Sequence, residues 1–502
     1  GWFCVNSPYR DWLPDYLAEM FDHLDFDGIY FDDTNWGSHS DTGQRHAVGC
    51  CCRHCQELYL EETGKDLPGK VDRDAVAFRR FMNWRYDKWL EGIEHVTQKV
   101  HERYPDAIID WYHYGGCARG GPDFSWEMGQ PLNPVHGSSY FFSRAAPIEG
   151  PTFAVKRFKA AAPTFGLWIW ERPKLLECAS LSPPYVEPYT PTIFGLSAVA
   201  HGGAAVVPFL KAGAHTAFGD VAKSVFTELK KLRPYVGDES LRYLALHFSQ
   251  QTRDFGYYKE ADNFWRQMRG SCEMLTRSQI LTDIVFDQQM TYDNLAPYRL
   301  LMLSDSKCLA DEQVEAIRRF VFEGGTLLAT YETSLCDSLG QRRDNFALAE
   351  VFGVDYQSSP AVPEPETGAV DPAKSNIYVP QEEGLRDNLG HLVAFAAKQA
   401  EVAVRSDSQI TTLFTKSSLE HHDGGAPLDH FYAYGDYDSG LPAITVNTFG
   451  EGRAIYVCGD VGGGYDRHPL PQLKRLVAYL AGVAGPPIEV EAPSVIEVTA
   501  TK

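Results

Sequence analysis

The chain has 502 residues, which is too long for one ordinary domain, so we expect two or three domains. Hydrophobic residues make up 44% of the chain and charged residues 23%, a balance that supplies buried cores and argues against disorder. The formal net charge of −21 at pH 7 repels phosphate backbones and anionic lipids, so we expect neither nucleic acid nor membrane as a partner.

Residues 1–236 alternate between helical and strand patterns. Ser7 is the expected N-cap of the first helix, with Pro8 at its first position, and apolar residues including Trp12 and Tyr16 recur at helical spacing. The segment "DGIYFDD" follows as a short apolar strand, typical of a sheet covered on both faces. A long helix is predicted within residues 71–103. Later strands are predicted in "AIIDWYHYGG", "FSWE", "FGLWIWE" and "GGAAVVPF", and helices in "PTFAVKRFKAAA" and "PTIFGLSAVA".

Repeated strand–helix units with polar or aromatic residues at strand ends predict an α/β fold, a (β/α)8 TIM barrel, for residues 1–236. About five strands are found where a closed barrel needs eight, so we expect that the chain begins midway through its barrel, without the N-terminal strands. In such barrels the carboxyl ends of the strands carry the chemistry, which directs attention to the residues just after each strand.

Residues 237–485 are predicted to form a second, flavodoxin-like α/β domain. Apolar strands are expected in "LRYLALHFS", "PYRLLMLSD", "TLLATYE" and "GRAIYVCGD", and helices in "DEQVEAIRRFVFEGG" and "PLPQLKRLVAYLAGVAG". Residues 486–502 alternate like a strand and suggest the start of a β-rich C-terminal domain.

The chain has eleven cysteines, an odd number at irregular spacing, which favours a reducing, cytoplasmic location over a disulfide framework. Cys50, Cys52 and Cys55 form a C-x-C-x-x-C pattern that can wrap one tetrahedral zinc. Cys51 is a poor fourth ligand because its neighbours already face the metal. The remaining candidates for the fourth ligand are Cys4, His39, His46 and His54. A site made only of thiolates is normally closed and structural, so we expect the zinc to stand apart from catalysis.

Three segments, "WFCVNSPYRDWLPDYL", "DGIYFDD" and "CCCRHCQELY", resemble the middle of the barrel in β-galactosidases of glycoside hydrolase family 42. The resemblance implies Cys4, Cys50, Cys52 and Cys55 as the zinc ligands, with Cys51 in a position that is tyrosine in the family. "LADEQVEAIRRFVFEGGTLLATYETSLCD" and "LAEVFGVDY" resemble the same family's trimerisation domain, which is glutamine-amidotransferase-like. This second resemblance implies a homo-oligomer, a trimer.

The segment "DDTNWG" departs from the family 42 pattern. The family's acid/base glutamate follows an asparagine at the end of this strand, and Thr34 and Asn35 occupy those two positions here. The strand end is more similar to α-L-fucosidase-type barrels of families 29 and 151. In those barrels the aspartate that ends this strand is the nucleophile, which implies Asp32 here.

Glycoside cleavage generally needs two carboxyl groups on either side of the scissile bond, about 5 Å apart in a retaining enzyme. Asp32 is the first candidate for the nucleophile and Asp33 the second, because strand alternation sends the two to opposite faces and only one should face the barrel axis. Glu127, between Trp126 and Met128, is a candidate acid/base because apolar neighbours raise a carboxyl pKa. Glu171 ends an apolar strand at a position that resembles the family 42 nucleophile. The roles of the two glutamates stay open at this stage.

Several residues near the predicted strand ends could bind a sugar. Aromatic faces stack on sugar rings, and histidine or aspartate side chains bind hydroxyl groups, although simple packing explains the same residues equally well. The candidates are Trp36, Asp110, His113, Tyr114, Trp126 and Trp170.

The sequence therefore predicts a retaining exo-glycosidase that acts on a glycoside or oligosaccharide, α-L-fucosidase-like or related, with a structural zinc. The alternatives are a family 42 β-galactosidase and a carbohydrate-binding relative without catalysis. A zinc hydrolase is disfavoured because its metal would need an open position and histidine or carboxylate ligands. An amidotransferase would need an activated cysteine, and neither Cys308 nor Cys336 lies in a G-x-C-x-G setting.

Overall fold

A computed structural model describes residues 4–31, 50–70, 72–111, 135–139, 150–161, 164–168, 189–206, 217–237, 239–257, 261–360, 375–417 and 438–502. The chain divides into two compact units. The first unit comprises Gly1–Ser240 together with Thr499–Lys502, and the second comprises Leu241–Val498. Within the described ranges, no helix is both long enough and apolar enough to cross a membrane.

The first unit alternates helices with parallel strands. Its helices are α1 (Tyr9–His23), α2 (Arg53–Thr63), α3 (Val76–His101), α4 (Gly150–Ala161), α5 (Tyr189–Ala200) and α6 (Ala217–Leu232). Its strands are β1 (Gly28–Phe31), β2 (Ile108–Trp111), β3 (Val135–Ser139), β4 (Thr164–Trp168) and β5 (Ala204–Val206). Strand β1 pairs in parallel with β2, and β4 lies parallel between β3 and β5.

This pattern agrees with the strand–helix repeat expected from the sequence. Strand β3 was not among the expected strands, and the expected strand "FSWE" lies outside the described residues. The closed eight-stranded barrel remains a prediction.

Helix α1 differs in detail from its sequence pattern. The helix begins at Tyr9, so Pro8 is its N-cap residue, one position later than expected; the Ser7 hydroxyl still accepts from the Tyr9 N–H at 3.4 Å and donates to the Cys4 carbonyl oxygen at 2.7 Å. Trp12 and Tyr16 are exposed and stack on each other, with ring centroids 5.0 Å apart. The buried face of the helix contains Leu13, Pro14, Leu17 and Ala18.

Helix α3 supplies much of the described core of the first unit and packs against α1. Its buried apolar side chains include Phe81, Tyr86, Ile93, Val96 and Val100, which are at most 4% exposed. Gly92 lies on this helix where Val5 approaches it closely, since a Cβ atom added to Gly92 would lie 2.7 Å from Val5 Cβ. The glycine therefore allows the segment that carries Cys4 to pack directly on α3.

The second unit is built on one nine-stranded sheet with the order β12-β11-β14-β15-β16-β9-β8-β6-β7. Its strands in that sheet are β6 (Leu244–Phe248), β7 (Thr282–Phe286), β8 (Leu300–Leu303), β9 (Thr326–Thr330), β11 (Ser375–Pro380), β12 (Val393–Ala396), β14 (Gln409–Ser417), β15 (Asp438–Phe449) and β16 (Gly452–Val457). A separate antiparallel pair joins β10 (Val354–Ser358) to β13 (Glu401–Val404). The helices are α7 (Ala261–Arg277), α8 (Tyr292–Leu295), α9 (Asp311–Phe322), α10 (Ala349–Phe352), α11 (Glu383–Leu389), α12 (Val461–Arg467) and α13 (Pro471–Gly482).

Five neighbouring strands of this sheet are parallel and run in the order β7-β6-β8-β9-β16. This order is the flavodoxin-like one that the sequence predicts. Strands β6, β8 and β9 are buried along their whole length, which explains their near-continuous apolar sequences. The antiparallel half, from β15 to β12, makes the sheet a mixed one.

Residues 486–502 form irregular backbone. They end in an isolated bridge between Thr501 and Ser240, within the first unit. The β-rich domain expected to start here remains a prediction.

Candidate metal centre

Cys4 is held in place just before α1. Its carbonyl oxygen accepts hydrogen bonds from the backbone N–H and the side-chain hydroxyl of Ser7, at 3.0 and 2.7 Å. Val5, the next residue, packs on Gly92 of α3. Cys4 itself is 8% exposed, so the turn fixes both the backbone and the position of the thiol.

The other three cysteines lie where the chain enters α2. Cys52 is the N-cap residue in an extended conformation, with φ −69° and ψ 170°, and Cys55 is in the first helical turn. The side-chain amide of Gln56 donates to the Cys51 carbonyl oxygen at 2.8 Å, which stabilises this entry. Because an extended residue is followed by a helical turn, Cys50, Cys52 and Cys55 can direct their sulfurs to one point.

The structure brings the four predicted ligands together. The sulfur atoms of Cys4, Cys50, Cys52 and Cys55 all lie within 4.8 Å of one another. The Cys4–Cys55 and Cys52–Cys55 sulfur separations are 3.3 and 3.9 Å. A tetrahedral zinc with zinc–sulfur bonds of about 2.3 Å requires sulfur separations of about 3.8 Å, and the two separations given lie on either side of this value.

Among the described residues the group favours Cys4 as the fourth ligand. Cys4 belongs to it, whereas Cys51 is exposed and, like His54 on α2, lies outside it. The alternatives His39 and His46 lie outside the described residues.

The four thiols shift one another's acidity. Hydrogen bonds from the thiols of Cys4 and Cys55 lower the pKa of Cys50 to about 2. The same hydrogen bond to Cys50, together with burial, raises the pKa of Cys4 to about 12. The sulfurs lie at the start of α2, where the positive end of the helix dipole favours thiolates.

Asn6 is a neighbour that sequence reasoning missed. Its side-chain amide donates to the Cys55 sulfur at 3.5 Å, and this contact lowers the pKa of Cys55 against the larger effects of the other thiols and of burial. Such outer-layer hydrogen bonds orient metal ligands and tune their basicity. The only signal in the sequence is its place two residues after Cys4.

Four soft sulfur donors in a compact tetrahedral arrangement suit zinc and leave no position for substrate. Cys55 is fully buried and Cys4 nearly so, which closes one side of the cluster. The arrangement can therefore tie the segment before α1 to the start of α2, which is a structural role.

The predicted catalytic and sugar-binding side chains lie almost entirely outside the described residues. These are Asp32, Asp33, Trp36, His113, Tyr114, Glu127, Trp126, Trp170 and Glu171. Asp110 lies on β2, where its backbone pairs with Tyr30. Strand β1 ends at Phe31 opposite Trp111, so the backbone immediately before Asp32 is at the carboxyl edge shared by β1 and β2. The roles of these residues remain predictions.

Two kinds of comparison find proteins similar to this chain. Residues 243–470 match the family model of the β-galactosidase trimerisation domain. A β-galactosidase from Bacillus circulans sp. alkalophilus has a similar structure, with a TM-score of 0.69 and 17% identity over 99% of this chain and 75% of that one. A family 42 β-galactosidase from G. stearothermophilus gives a TM-score of 0.66 at 15% identity, over 94% of this chain and 72% of that one.

α-L-Fucosidase isoenzyme 2 from Paenibacillus thiaminolyticus is also similar, with a TM-score of 0.63 and 16% identity over 96% of this chain and 65% of that one. The comparison with curated proteins finds no match. At these identities the solved structures establish that the chain shares their fold. The matched domain lies within the second unit.

Proposed function

We propose that this protein is a glycoside hydrolase whose reaction takes place in the first unit. The observation that carries the proposal is the likeness of nearly the whole chain to one β-galactosidase, including the domain that matches the trimerisation model. A likeness limited to the barrel would leave the chemistry open, because barrels support many reactions. Because the similarity also includes the second unit, it favours glycoside hydrolases among the many enzymes built on such barrels.

β-Galactosidase activity is the better-supported specificity, although the sequence favoured an α-L-fucosidase-like enzyme. The match of residues 243–470 to a β-galactosidase domain supports this alternative directly. The α-L-fucosidase reading is the second candidate, because a fucosidase has nearly the same structural similarity to this chain.

The two readings assign different roles to the same carboxylates. In the β-galactosidase reading Glu171 is the nucleophile, and Asp32 or Glu127 supplies the acid/base in place of the family glutamate absent from "DDTNWG". In the fucosidase reading Asp32 is the nucleophile. In either case one carboxyl stays ionised and the other keeps its proton near neutral pH, which requires unequal burial or mutual repulsion.

A structural zinc is part of the proposal. The four thiolates would hold the ion, and its positive charge would stabilise all four ionised forms at once. Hydrogen bonds among the sulfurs cannot do this, because each such bond needs one protonated thiol. Cys50 ends the segment that begins with Asp32, so the metal would restrain the chain that carries the first catalytic candidate. Reduced thiols are needed for this, in keeping with the expected cytoplasmic location.

A rescue experiment separates the two readings. The intact chain is assayed on nitrophenyl β-galactoside and nitrophenyl α-L-fucoside, and Glu171→Ala and Asp32→Ala are assayed with added azide. In a nucleophile variant azide attacks the substrate directly, in place of the missing carboxylate, and yields a glycosyl azide of inverted configuration. In an acid/base variant azide attacks the glycosyl-enzyme intermediate and yields a glycosyl azide of retained configuration. We expect Glu171→Ala to form the inverted α-galactosyl azide.

Asp66→Ala is the control for Asp32→Ala, because Asp66 is an exposed aspartate of the same unit, and it should keep its activity. An inverted fucosyl azide from Asp32→Ala would favour the fucosidase reading. Failure of the intact chain to hydrolyse either glycoside would support the inactive carbohydrate-binding relative.

A further inference from the structure

Two cysteines of the second unit face each other at the carboxyl end of its parallel sheet. Cys308 follows β8 and Cys336 follows β9, and the two residues form an isolated parallel bridge. The Cys336 N–H donates to the Lys307 carbonyl oxygen at 2.8 Å, and the Leu309 N–H donates to the Cys336 carbonyl oxygen at 3.1 Å. Residues paired in this way have Cα atoms about 4.8 Å apart, a separation that a disulfide can span without backbone movement.

The surrounding residues hold this pairing firmly. The Arg343 guanidinium donates to the carbonyl oxygens of Leu309 and Cys336, one on each segment, so it clamps them together. The Cys308 N–H donates to Thr252 Oγ1 at 3.0 Å, at the start of a π-helical turn, Thr252–Gly256. Turns of this kind recur at functional sites.

The two thiols have different acidities. Cys308 is fully buried, and its hydrogen bond with Cys336 and its burial raise its pKa well above the ordinary value. Cys336 is 9% exposed, and the hydrogen bond from Cys308 lowers its pKa, helped by the Lys307 ammonium and the Arg342 guanidinium. Both thiols are buried, and burial opposes the lowering of the Cys336 pKa, but Cys336 is the more exposed and the more acidic of the pair, so we expect it to react first and Cys308 to resolve it.

The backbone of both segments is strained. Asp305, Tyr331 and Ser334 have φ values of 48°, 51° and 69°, a region that residues with side chains rarely adopt. Within the described ranges the other non-glycine residue of this kind is Gln279. Strained backbone conformations cost free energy and persist only where the surrounding structure enforces them, and they are commonest at functional sites.

We propose that Cys308 and Cys336 form a reversible oxidation site that takes hydroperoxides as its oxidant. The Cys336 thiolate attacks a peroxide oxygen, the O–O bond breaks, and Cys336 sulfenic acid and one water form when the oxidant is hydrogen peroxide. Cys308 then attacks the sulfenic sulfur, a second water leaves with the Cys308 proton, and a Cys308–Cys336 disulfide remains. Two thiols are oxidised by two electrons and one peroxide is reduced to two waters, and a thiol reductant reverses the change.

The test is peptide mapping of the full-length chain after brief exposure to hydrogen peroxide, followed by alkylation under denaturing conditions. We expect a linked peptide that joins Cys308 to Cys336, lighter by two hydrogen atoms than the two reduced peptides, and lost on treatment with a thiol reductant. Cys458, fully buried with its thiol against the Pro442 carbonyl oxygen, is the internal control and should stay open to alkylation.

Two variants assign the order of reaction. Cys308→Ser should lose the linked peptide and leave a Cys336 sulfenic acid that dimedone traps, and Cys336→Ser should lose both products. If either variant fails to fold, peptide mapping of the wild-type chain still tests whether the disulfide forms. Recovery of both residues as free thiols, in a sample whose exposed Cys51 has been oxidised, would overturn the proposal.

Discussion

Gly92 offers a test of how the helical core of the first unit positions the proposed zinc ligands. A Cβ atom added there would lie 2.7 Å from Val5 Cβ and 3.3 Å from each Val5 Cγ atom, whereas ordinary contacts are 3.4–4 Å. Val5 cannot avoid the clash by rotating its side chain, because the closest atom is its own Cβ. Gly92→Ala must therefore push the Val5 backbone away by about 0.7 Å or more, and Cys4 is the adjacent residue.

The size of the effect depends on the property measured. Overpacking of this kind costs about 1–3 kcal/mol, but alanine in a helix interior recovers up to about 1 kcal/mol relative to glycine. The free energy of unfolding should therefore fall by only about 0–2 kcal/mol. The helix preference is the same with and without metal, so it cancels from zinc affinity. The metal-free protein can relieve the strain by letting Val5 and Cys4 move away from α3, whereas the zinc-bound form cannot, so zinc affinity should weaken by at most the full strain, about 5-fold to 150-fold.

Zinc affinity, measured by competition with a chromophoric chelator, is therefore the decisive assay for Gly92→Ala. Gly69→Ala is the matched control, because nothing lies within 4 Å of its added Cβ, and its zinc affinity should equal that of the wild type. If Gly92→Ala binds zinc as tightly as both the wild type and Gly69→Ala, the packing of Val5 on α3 does not position Cys4.

Three other predictions concern the metal, the second unit and the assembly. We expect metal analysis to give one zinc per chain. Cys55→Ser should abolish it, whereas Cys51→Ser should keep it, because the Cys55 sulfur belongs to the cluster and that of Cys51 does not. Burial raises the pKa of Asp305, so its proton stabilises the folded state below the unfolded pKa, and this stability is lost as pH rises through the folded pKa. Asp305→Asn should remove that component from the pH dependence of urea unfolding, and an unchanged dependence would contradict the assignment. Light scattering should give three chains per particle, and a monomer would refute the trimer.

The zinc cluster shows what local spacing can encode. Three ligands lie within six positions, so the pattern fixes them whatever the fold. Cys4 is distant in sequence: its place just before the first helix made it a candidate, and the family resemblance favoured it over three histidines. Asn6 was missed because an amide that donates to sulfur has no characteristic pattern of its own.

Secondary structure was predictable where burial is uniform. The continuous apolar runs of β8 and β9 mark strands covered on both faces, and the structure buries every residue of both. Helix α1 was harder, because periodicity treats Trp12 and Tyr16 as apolar although they stack together in solvent. Strand β15 was missed because its burial is mixed and its pairing depends on distant segments.

The carboxyl end of the second unit's sheet explains why we place the glycosidase reaction in the first unit. Flavodoxin-like sheets bind ligands at this end, but here the chain's own side chains form a closed network. Lys307 Nζ lies 2.9 Å from Glu332 Oε2, 3.9 Å from Asp305 Oδ2 and 4.1 Å from the centre of the Tyr257 ring. A nucleophile elbow would need the strained backbone at the cysteine itself, whereas the strain falls on Asp305 and Tyr331. Neither Cys308 nor Cys336 therefore lies on a nucleophile elbow, which argues against an amidotransferase reaction, and the match of residues 243–470 to a trimerisation domain leads us to expect an assembly role for this unit.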